Sequence, residues 1–311
     1  MQRPRRVVPG ESIAVIAPSS APRDPQHLTR GIQHLRELGF RVEVDRPEIA
    51  PVGYLAGSDD VRLDELNRAL RRTDISAIFC VRGGFGSMRL LEGVDYEAAA
   101  AHPKLLIGYS DVTALYLALY RRTGIPSVAG AMVASDFDNP HPESLAKMWD
   151  VLRGVIPLDL DGPSGEPLEG VRSGVAEGPL LGGNLTLIAR LMGTPYLPPL
   201  DGAILFFEEI GEEPYRLDGL LAQLKLAGVF ERVAGVVVGA ITEWEPKHTR
   251  PTLTLDEVLD HYLSGLPCPV ARGLRFGHIR EKVAVPVGVR ARLEVDGPNA
   301  RLTVLESVVR V

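Results

Sequence analysis

The chain of 311 residues contains only two cysteines, Cys80 and Cys268, so disulfides do not form its framework. Cys80 lies inside the apolar run A-I-F-C-V and Cys268 also has apolar neighbours, which predicts two buried core thiols. The sequence shows no signal-peptide pattern and no apolar stretch of about 18 residues that could span a bilayer. We therefore expect a cytoplasmic protein.

Motifs of cofactor-dependent and metal-dependent enzymes are also missing. The sequence has neither the G-x-G-x-x-G of dinucleotide-binding folds nor the Gly-Lys-Ser/Thr of a P-loop, and it has no H-E-x-x-H zinc motif. The net charge of -6 gives no reason to expect nucleic acid or an anionic membrane as a partner. We expect no cofactor and no metal.

The first half of the chain alternates short apolar runs with stretches of helical periodicity. The predicted strands are residues 12–18, 41–45, 77–81 and 105–108, and the predicted helices are residues 27–38, 61–70 and 112–122. Continuous apolar strands that are joined by helices are typical of a parallel sheet covered on both faces.

Between residues 135 and 169 the composition changes to turn residues around one short helix at 144–153. We place a domain boundary near residues 155–170, which gives an N-terminal domain of residues 1–155 and a C-terminal domain of residues 170–311.

The second half mixes both kinds of pattern. Residues 177–184 are expected to open a helix, residues 203–207 and 234–240 are predicted strands, and residues 215–227 are a predicted helix. The alternation in V-A-V-P-V-G-V-R-A-R-L-E-V and A-R-L-T-V-L indicates antiparallel strands near the C-terminus. The predicted fold class is α/β, with an N-terminal parallel-sheet domain and a C-terminal mixed β/α domain.

One hydroxyl, Ser110, lies in the turn between an apolar strand and a helix, in G-Y-S-D-V-T-A-L. Such a turn suits a nucleophile, because it exposes the side chain beside backbone N–H groups of the helix start. The G-x-S-x-G form of this turn is absent, and a serine followed by Asp111 is also a common helix N-cap. Taken alone, this stretch favours the cap.

A glycine-rich loop, V-R-G-G-F-G-S, follows another strand. Gly83, Gly84 and Gly86 permit positive φ and close approach of a ligand, and their N–H groups could hold a carboxylate, a phosphate or an oxyanion. A tight turn between strand and helix explains the same pattern equally well. Arg82, at the start of the loop, is a candidate partner for a substrate carboxylate.

Two polar groups stand out in the second half. Glu208 and Glu209 follow an apolar strand, where the active sites of α/β domains collect, and His278 follows Gly277 in a loop before a strand. Each one alone is more simply a surface group. Together with Ser110 and the glycine-rich loop they supply a nucleophile, a base, an orienting carboxylate and an oxyanion loop, which are the parts of acyl transfer to water.

A series of motifs occurs in order between about residues 10 and 295: I-A-V-I-A-P-S-S, Y-L-A-G-S-D, R-G-G-F-G-S, K-L-L-I-G-Y-S-D-V-T-A-L, P-L-L-G-G-N-L, L-F-F-E-E-I-G-E-E-P-Y-R and G-H…V-P-V-G. This combination resembles the LD-carboxypeptidase family of serine peptidases. The resemblance implies a Rossmann-like N-terminal domain, a C-terminal domain with a mixed β core, and a site between them. It also implies Ser110 as nucleophile, Glu208 as triad carboxylate and His278 as base.

The resemblance further implies an oxyanion hole and a substrate. The backbone N–H groups of Asp111 and Gly84 would form the hole, and Gly83 and Phe85 would line the substrate beside it. The implied reaction removes the terminal D-Ala of a murein tetrapeptide from L-Lys or meso-diaminopimelate during peptidoglycan recycling. The implied assembly is a homodimer.

Two departures from the family pattern bear on substrate fit, and neither removes a member of the triad. Phe85 stands where Tyr is frequent, and Ala129-Gly130-Ala131 stands where many members have His-Gly-Pro. Two alternatives stay open: a related peptidase that cleaves peptide–nucleotide antibiotics and gives self-immunity, and a non-catalytic peptide-binding protein. A glutamine-amidotransferase-like hydrolase is disfavoured, because Cys80 lies within a strand and not at the turn after it.

Overall fold

The computed structural model describes residues 3–161, 165–246 and 251–310. Its strands, in chain order, are β1 (Ser12–Ile16), β2 (Arg41–Val44), β3 (Ile75–Cys80), β4 (Leu105–Ile107), β5 (Ser127–Ala129), β6 (Leu158–Asp159), β7 (Leu168–Arg172), β8 (Gly174–Asn184), β9 (Ile204–Ile210), β10 (Gly235–Thr242), β11 (Val270–Arg272), β12 (Val285–Val287), β13 (Arg290–Asp296) and β14 (Asn299–Val304). Its α-helices are α1 (Pro25–Glu37), α2 (Asp59–Arg71), α3 (Tyr96–Ala101), α4 (Thr113–Thr123), α5 (Pro142–Arg153), α6 (Leu185–Leu191), α7 (Pro214–Leu226) and α8 (Leu255–Leu263). Short 3₁₀ helices at Ser87–Gly93 and Ser110–Val112 precede α3 and α4.

The first five strands form the predicted parallel sheet, in the order β5-β4-β3-β1-β2. Strands β3 and β4 are buried at every position, as expected for a sheet with helices on both faces. The strand order reverses between β1 and β3, and doubly wound sheets bind their ligands beyond the carboxyl ends of the strands at such a reversal. The loops after β1, β3 and β4 are therefore the first place to look for a site.

A sixth strand of this sheet comes from the far end of the chain. β12 pairs antiparallel with β5, with Val285 opposite Ala129 and Val287 opposite Ser127. The predicted C-terminal antiparallel pairing holds for β13 with β14, whereas β12 instead joins the first sheet as an edge strand, where Pro286 is tolerated. As a result, the chain between β11 and β12 is anchored to both sheets.

The second sheet is mixed, and the predicted α/β fold class is confirmed. Its eight strands follow the order β13-β8-β9-β10-β11-β7-β14-β6, and an extra pairing of β13 with β14 closes all but β6 into a ring. β8 to β11 run parallel, and the flanking strands are antiparallel. β6, from the predicted boundary region, pairs with β14, and residues 162–164 of that region lie outside the described residues.

Residues 177–184 were expected to open a helix, and α6 does begin directly after them, but the sequence analysis did not predict that these residues themselves form a strand. They form the second part of β8, in which the buried Leu180 and Leu181 pair with Ile204 and Leu205 of β9. The helix α6 begins only at Leu185, where the Asn184 side chain caps it by accepting from Leu187 N.

The two cysteines and the helices can be compared with the expectations from the sequence. Cys80 and Cys268 are both free and buried, as predicted, and burial raises the pKa of both thiols. None of the described helices combines the length and apolar character that crossing a membrane requires.

β8 lies against α4 at a point where a side chain does not fit. A Cβ on Gly183 would lie 2.0 Å from the Tyr116 hydroxyl and 2.6 Å from Thr113 Oγ1. The Tyr116 hydroxyl donates to Gly182 O at 3.1 Å, and Asn184 N donates to Thr113 Oγ1 at 3.0 Å. These bonds hold the start of α4 against the strand next to β9.

We expect Gly183→Ala to lower the free energy of unfolding by about 3 kcal/mol, because its methyl group collides with Tyr116 and its φ is +141°. Gly193→Ala is the matched control: its φ is +80° and nothing lies within 4 Å of its added Cβ, so it should cost only about 1 kcal/mol. Urea unfolding followed by circular dichroism measures both. Equal losses would contradict the close approach of β8 and α4.

Candidate active site

Three side chains from separate parts of the chain form one hydrogen-bonded series. His278 Nε2 lies 3.0 Å from Ser110 Oγ, and His278 Nδ1 lies 2.8 Å from Glu208 Oε2. Ser110 follows β4, Glu208 lies near the end of β9, and His278 lies in the loop between β11 and β12. The structure therefore brings together the three side chains that the sequence analysis singled out.

Ser110 does not cap a helix, and the N-cap prediction was wrong. Its φ is +64°, in the left-handed region, and the N-caps of the 3₁₀ helix and of α4 are Tyr109 and Val112, neither with a side-chain capping bond. The Ser110 hydroxyl instead meets the imidazole of His278. A left-handed serine costs about 1–2 kcal/mol, so its surroundings must hold it in place.

The carboxylate of Asp111 holds this turn. Asp111 is buried, and its Oδ2 accepts from Ser19 Oγ at 2.6 Å and from Ser87 N at 2.8 Å, while Ser87 Oγ donates to the Asp111 carbonyl. These bonds join the loops after β1, β3 and β4. The sequence placed only the N–H of Asp111 in the site and missed Ser19 and Ser87, because no local pattern links serines so far apart.

The glycine-rich loop packs directly on the serine. A Cβ on Gly83 would lie 2.8 Å from Ser110 Cβ and 3.0 Å from its Oγ, so only glycine fits there. Gly84 has the expected positive φ, +109°. Gly83 does not have a positive φ, and glycine is required there because Ser110 packs against it. Phe85 is 42 % exposed, and its N–H donates to Ser20 Oγ at 3.1 Å. The loop after β1 therefore supports the loop after β3.

Two adjacent carboxylates in β9 have different partners. Glu208 is fully buried. In addition to its contact with His278, it accepts a hydrogen bond from Asn184 Nδ2 at 3.2 Å. Glu209 accepts from Asn184 Nδ2 at 2.9 Å, from Thr186 N at 2.8 Å and from Ile210 N at 2.9 Å. Burial raises the pKa of Glu209, and these hydrogen bonds oppose that shift. Asn184 was missed in the sequence, although it directly precedes a helical stretch.

A buried cation supports the histidine from the other side. Lys282 Nζ lies 2.6 Å from Asp136 Oδ1, donates to the Tyr109 hydroxyl at 2.8 Å, and stands 4.3 Å from the Tyr109 ring centroid. The Tyr109 ring packs edge-on against His278, with centroids 5.2 Å apart. Burial lowers the pKa of Lys282, but the charge of Asp136, the phenol of Tyr109 and the hydrogen bonds to both together outweigh it, so the pKa of Lys282 is raised. Burial also raises the pKa of Tyr109 to about 12.

A cavity of about 350 Å³ opens beside His278. Tyr109, Asp136, Arg280 and Lys282 contribute to its wall, as does Ala131 from the segment that departs from the family pattern. Among the described residues, no group of three or more His, Cys, Asp or Glu side chains is arranged to hold a metal ion. The serine–imidazole–carboxylate series can take a proton from the hydroxyl and pass it to a leaving group.

Comparison with known proteins assigns the family. The N-terminal domain of the LD-carboxypeptidases matches residues 13–130, and their C-terminal domain matches residues 177–293. The chain belongs to the LD-carboxypeptidase family. The resemblance stated from the motifs is thereby confirmed, and the protein is a peptidase of the hydrolase class.

Three similar proteins cover nearly the whole LD-carboxypeptidase chain. A probable murein peptide carboxypeptidase of Bacillus subtilis (strain 168) is 36% identical over 94% of this chain and 91% of its own length. The crystal structure of muramoyltetrapeptide carboxypeptidase from Oxalobacter formigenes superposes with a TM-score of 0.82, at 30% identity, over 95% of this chain and 99% of that one. The microcin C7 self-immunity protein MccF of Escherichia coli is 28% identical over 94% of this chain and 93% of its own length. A structure of MccF in complex with aspartyl sulfamoyl adenosine superposes over 100% of both chains, with a TM-score of 0.87 and a sequence identity of 25%.

We expect Lys282→Met to lower the free energy of unfolding by about 3 kcal/mol, because the carboxylate of Asp136, whose side chain is only 16 % exposed, would lose its counter-charge. Adding Asp136→Asn removes the second charge and should recover at least half of the loss. Guanidinium unfolding at pH 7 measures all variants.

The control for this pair is Arg68→Met, which removes the exposed ion pairs of Arg68 with Asp45 and Asp64 and should cost less than about 1 kcal/mol. If Lys282→Met costs no more than Arg68→Met, the ion pair of Lys282 with Asp136 contributes no more to stability than an exposed one.

Proposed function

We propose that this LD-carboxypeptidase is a serine enzyme that removes the terminal D-Ala from a murein tetrapeptide with L-Lys or meso-diaminopimelate at position three. The observation that carries the proposal is the continuous series Ser110–His278–Glu208, with distances of 3.0 and 2.8 Å. The substrate class follows from the names of the Bacillus and Oxalobacter relatives.

In the proposed first step, Ser110 Oγ attacks the scissile carbonyl while His278 Nε2 accepts its proton. Glu208 accepts a hydrogen bond from His278 Nδ1–H, which fixes the tautomer and stabilises the imidazolium that forms. Because Glu208 is fully buried, its charge acts on the imidazole with little screening by water.

The negative charge that develops on the substrate oxygen requires donors next to Ser110. We assign them to the N–H groups of Asp111 and Gly84, with Gly83 leaving space for the carbonyl and Phe85 beside it. The support for this assignment is the contact of the glycine-rich loop with Ser110 and the rigid attachment of Asp111 to Ser19 and Ser87. Fixed donors of this kind need no reorganisation during the reaction.

The second half of the cycle uses the same groups. The imidazolium of His278 protonates the leaving nitrogen of D-Ala, and a water activated by His278 then hydrolyses the Ser110 ester. The mechanism requires no metal or cofactor. We assign the nucleophile to an N-terminal domain of residues 1–155 and the other two triad members to a C-terminal domain of residues 170–311, acting as a cytoplasmic homodimer in peptidoglycan recycling.

The first test is Ser110→Ala. We expect release of D-Ala from murein tetrapeptide to fall by a factor of about 10⁴–10⁶, because the acyl-enzyme cannot form. The variant should still bind the peptide, and EDTA should leave the wild-type rate unchanged. A wild type that binds the peptide without releasing D-Ala would support a binding protein, and zinc-reversible inhibition by EDTA would rule out the mechanism.

Substituting the two neighbouring carboxylates one at a time distinguishes an effect on catalysis from an effect on stability. Glu208→Gln should lower kcat by about 10⁴, since the amide holds His278 in the wrong tautomer. Glu209→Gln should leave kcat within about tenfold but lower the free energy of unfolding by about 1–2 kcal/mol, because Gln has one acceptor oxygen for the Thr186 and Ile210 N–H groups. Steady-state kinetics and urea unfolding distinguish the two. If both substitutions lower kcat equally, Glu208 has no special role.

A second candidate activity is cleavage of an aminoacyl nucleotide conjugate, as in self-immunity. It is favoured by the full-length superposition on MccF, whose structure holds aspartyl sulfamoyl adenosine. Comparing kcat/KM for such a conjugate and for murein tetrapeptide decides between the two, because both reactions would use the same triad.

A further inference from the structure

Arg82 is a half-buried arginine that forms no ion pair with the described residues. Its Nη1 donates to Ala21 O at 3.3 Å. Burial lowers the pKa of Arg82, and the positive charge of nearby Arg23 lowers it further. A guanidinium withdrawn from water without a counter-charge is costly, so a protein retains one where a ligand supplies the missing charge.

Two other shielded arginines of this chain form ion pairs with carboxylates. Arg46 pairs with Glu65 at 2.6 Å, and the fully buried Arg62 lies within salt-bridge distance of Asp59. The lack of a partner at Arg82 is therefore a property of its location and not a general feature of the fold.

Arg82 and Arg23 line a cavity of about 260 Å³ together with His27. The acid in that wall, Asp138, is already paired with Arg30 and lies 3.8 Å from His27 Nε2. The wall of the cavity thus contains two arginines, and none of its lining residues is an unpaired acid. This excess of positive charge favours binding of an anion.

The Arg82 side of this cavity adjoins the glycine-rich loop that packs on Ser110. A Cβ on Gly84 would be 3.6 Å from Arg82 Nη2, and a Cβ on Gly83 would be 3.0 Å from Ser110 Oγ. Ser135 lines both this cavity and the cavity next to His278. A guanidinium here can reach a group bound a few bonds beyond the scissile carbonyl.

We propose that Arg82, assisted by Arg23, binds the free terminal carboxylate of the peptide and so restricts cleavage to the last residue. This inference rests on the proposed function. In a terminal D-Ala the carboxylate carbon is two bonds from the leaving nitrogen, so its recognition places the scissile bond at Ser110. The planar fork of arginine matches a carboxylate with two parallel hydrogen bonds.

The test compares a murein tetrapeptide with its C-terminal amide, using calorimetric binding to the Ser110→Ala protein so that no turnover is needed. We expect the acid to bind about 10- to 100-fold more tightly than the amide. Adding Arg82→Met should reduce this ratio of affinities to about one, because the acid binds more weakly while binding of the amide stays unchanged. Adding Arg82→Lys should retain part of the ratio, because the charge remains while the fork is lost.

Arg280→Met is the matched control, since Arg280 is an exposed arginine in the wall of the other cavity. It should leave the acid-to-amide ratio unchanged. The proposal is overturned if Arg280→Met collapses the ratio, if Arg82→Met weakens acid and amide equally, or if the protein with Arg82 intact binds both alike.

The two proposals can fail separately. A wild type that releases no D-Ala refutes the proposed peptidase activity, while the binding ratio still decides on the carboxylate site. A wild type that releases D-Ala but binds acid and amide equally refutes only the role of Arg82.

Discussion

The hydrogen bond between His278 Nδ1 and the fully buried Glu208 is the contact on which the rest of the site depends. A carboxylate at the end of a buried strand is stable only with partners, and Glu208 has His278 on one oxygen and Asn184 on the other. To supply that partner, the chain after β11 must pass over the end of β9. It then continues into the first sheet as β12, paired with β5. The imidazole is thereby fixed between a strand of one sheet and a turn of the other.

The turn that carries Ser110 is strained, and its surroundings compensate for the strain. Its left-handed φ costs about 1–2 kcal/mol. The buried carboxylate of Asp111 accepts two hydrogen bonds from neighbouring loops, and bonds to a charged group contribute about 1.5–3 kcal/mol each. The same bonds fix the loops after β1 and β3 against the serine. The rigidity that tolerates the strain and the packing of the glycine-rich loop therefore have one cause.

Local patterns in the sequence were sufficient for the parallel sheet, because apolar strands are short-range signals. The three site candidates needed the combination of motifs, since each of them alone favoured a structural role. Local patterns could not reveal that β12 joins the first sheet or that Lys282 meets Asp136, since these contacts join residues 146 or more positions apart. The isolated stretch around Ser110 favoured a helix cap for a physical reason, although the motifs together indicated a nucleophile. A serine before an acidic residue suits both an N-cap and a left-handed turn, and only the position of His278 separates the two.

Glu208 and Glu209 show where sequence reasoning reaches its limit even at a site it located correctly. Successive residues of a strand point to opposite faces, so adjacent carboxylates must enter different environments. The register of β8 against β9 sets Asn184 opposite Glu208, and the Asn184 amide contacts both acids while its oxygen caps α6. Glu208 is thus directed to the imidazole and Glu209 to the backbone of α6 and β9. A one-residue slip of that register would exchange a structural carboxylate with the one that orients His278, which places the chemistry of this site under the control of strand pairing.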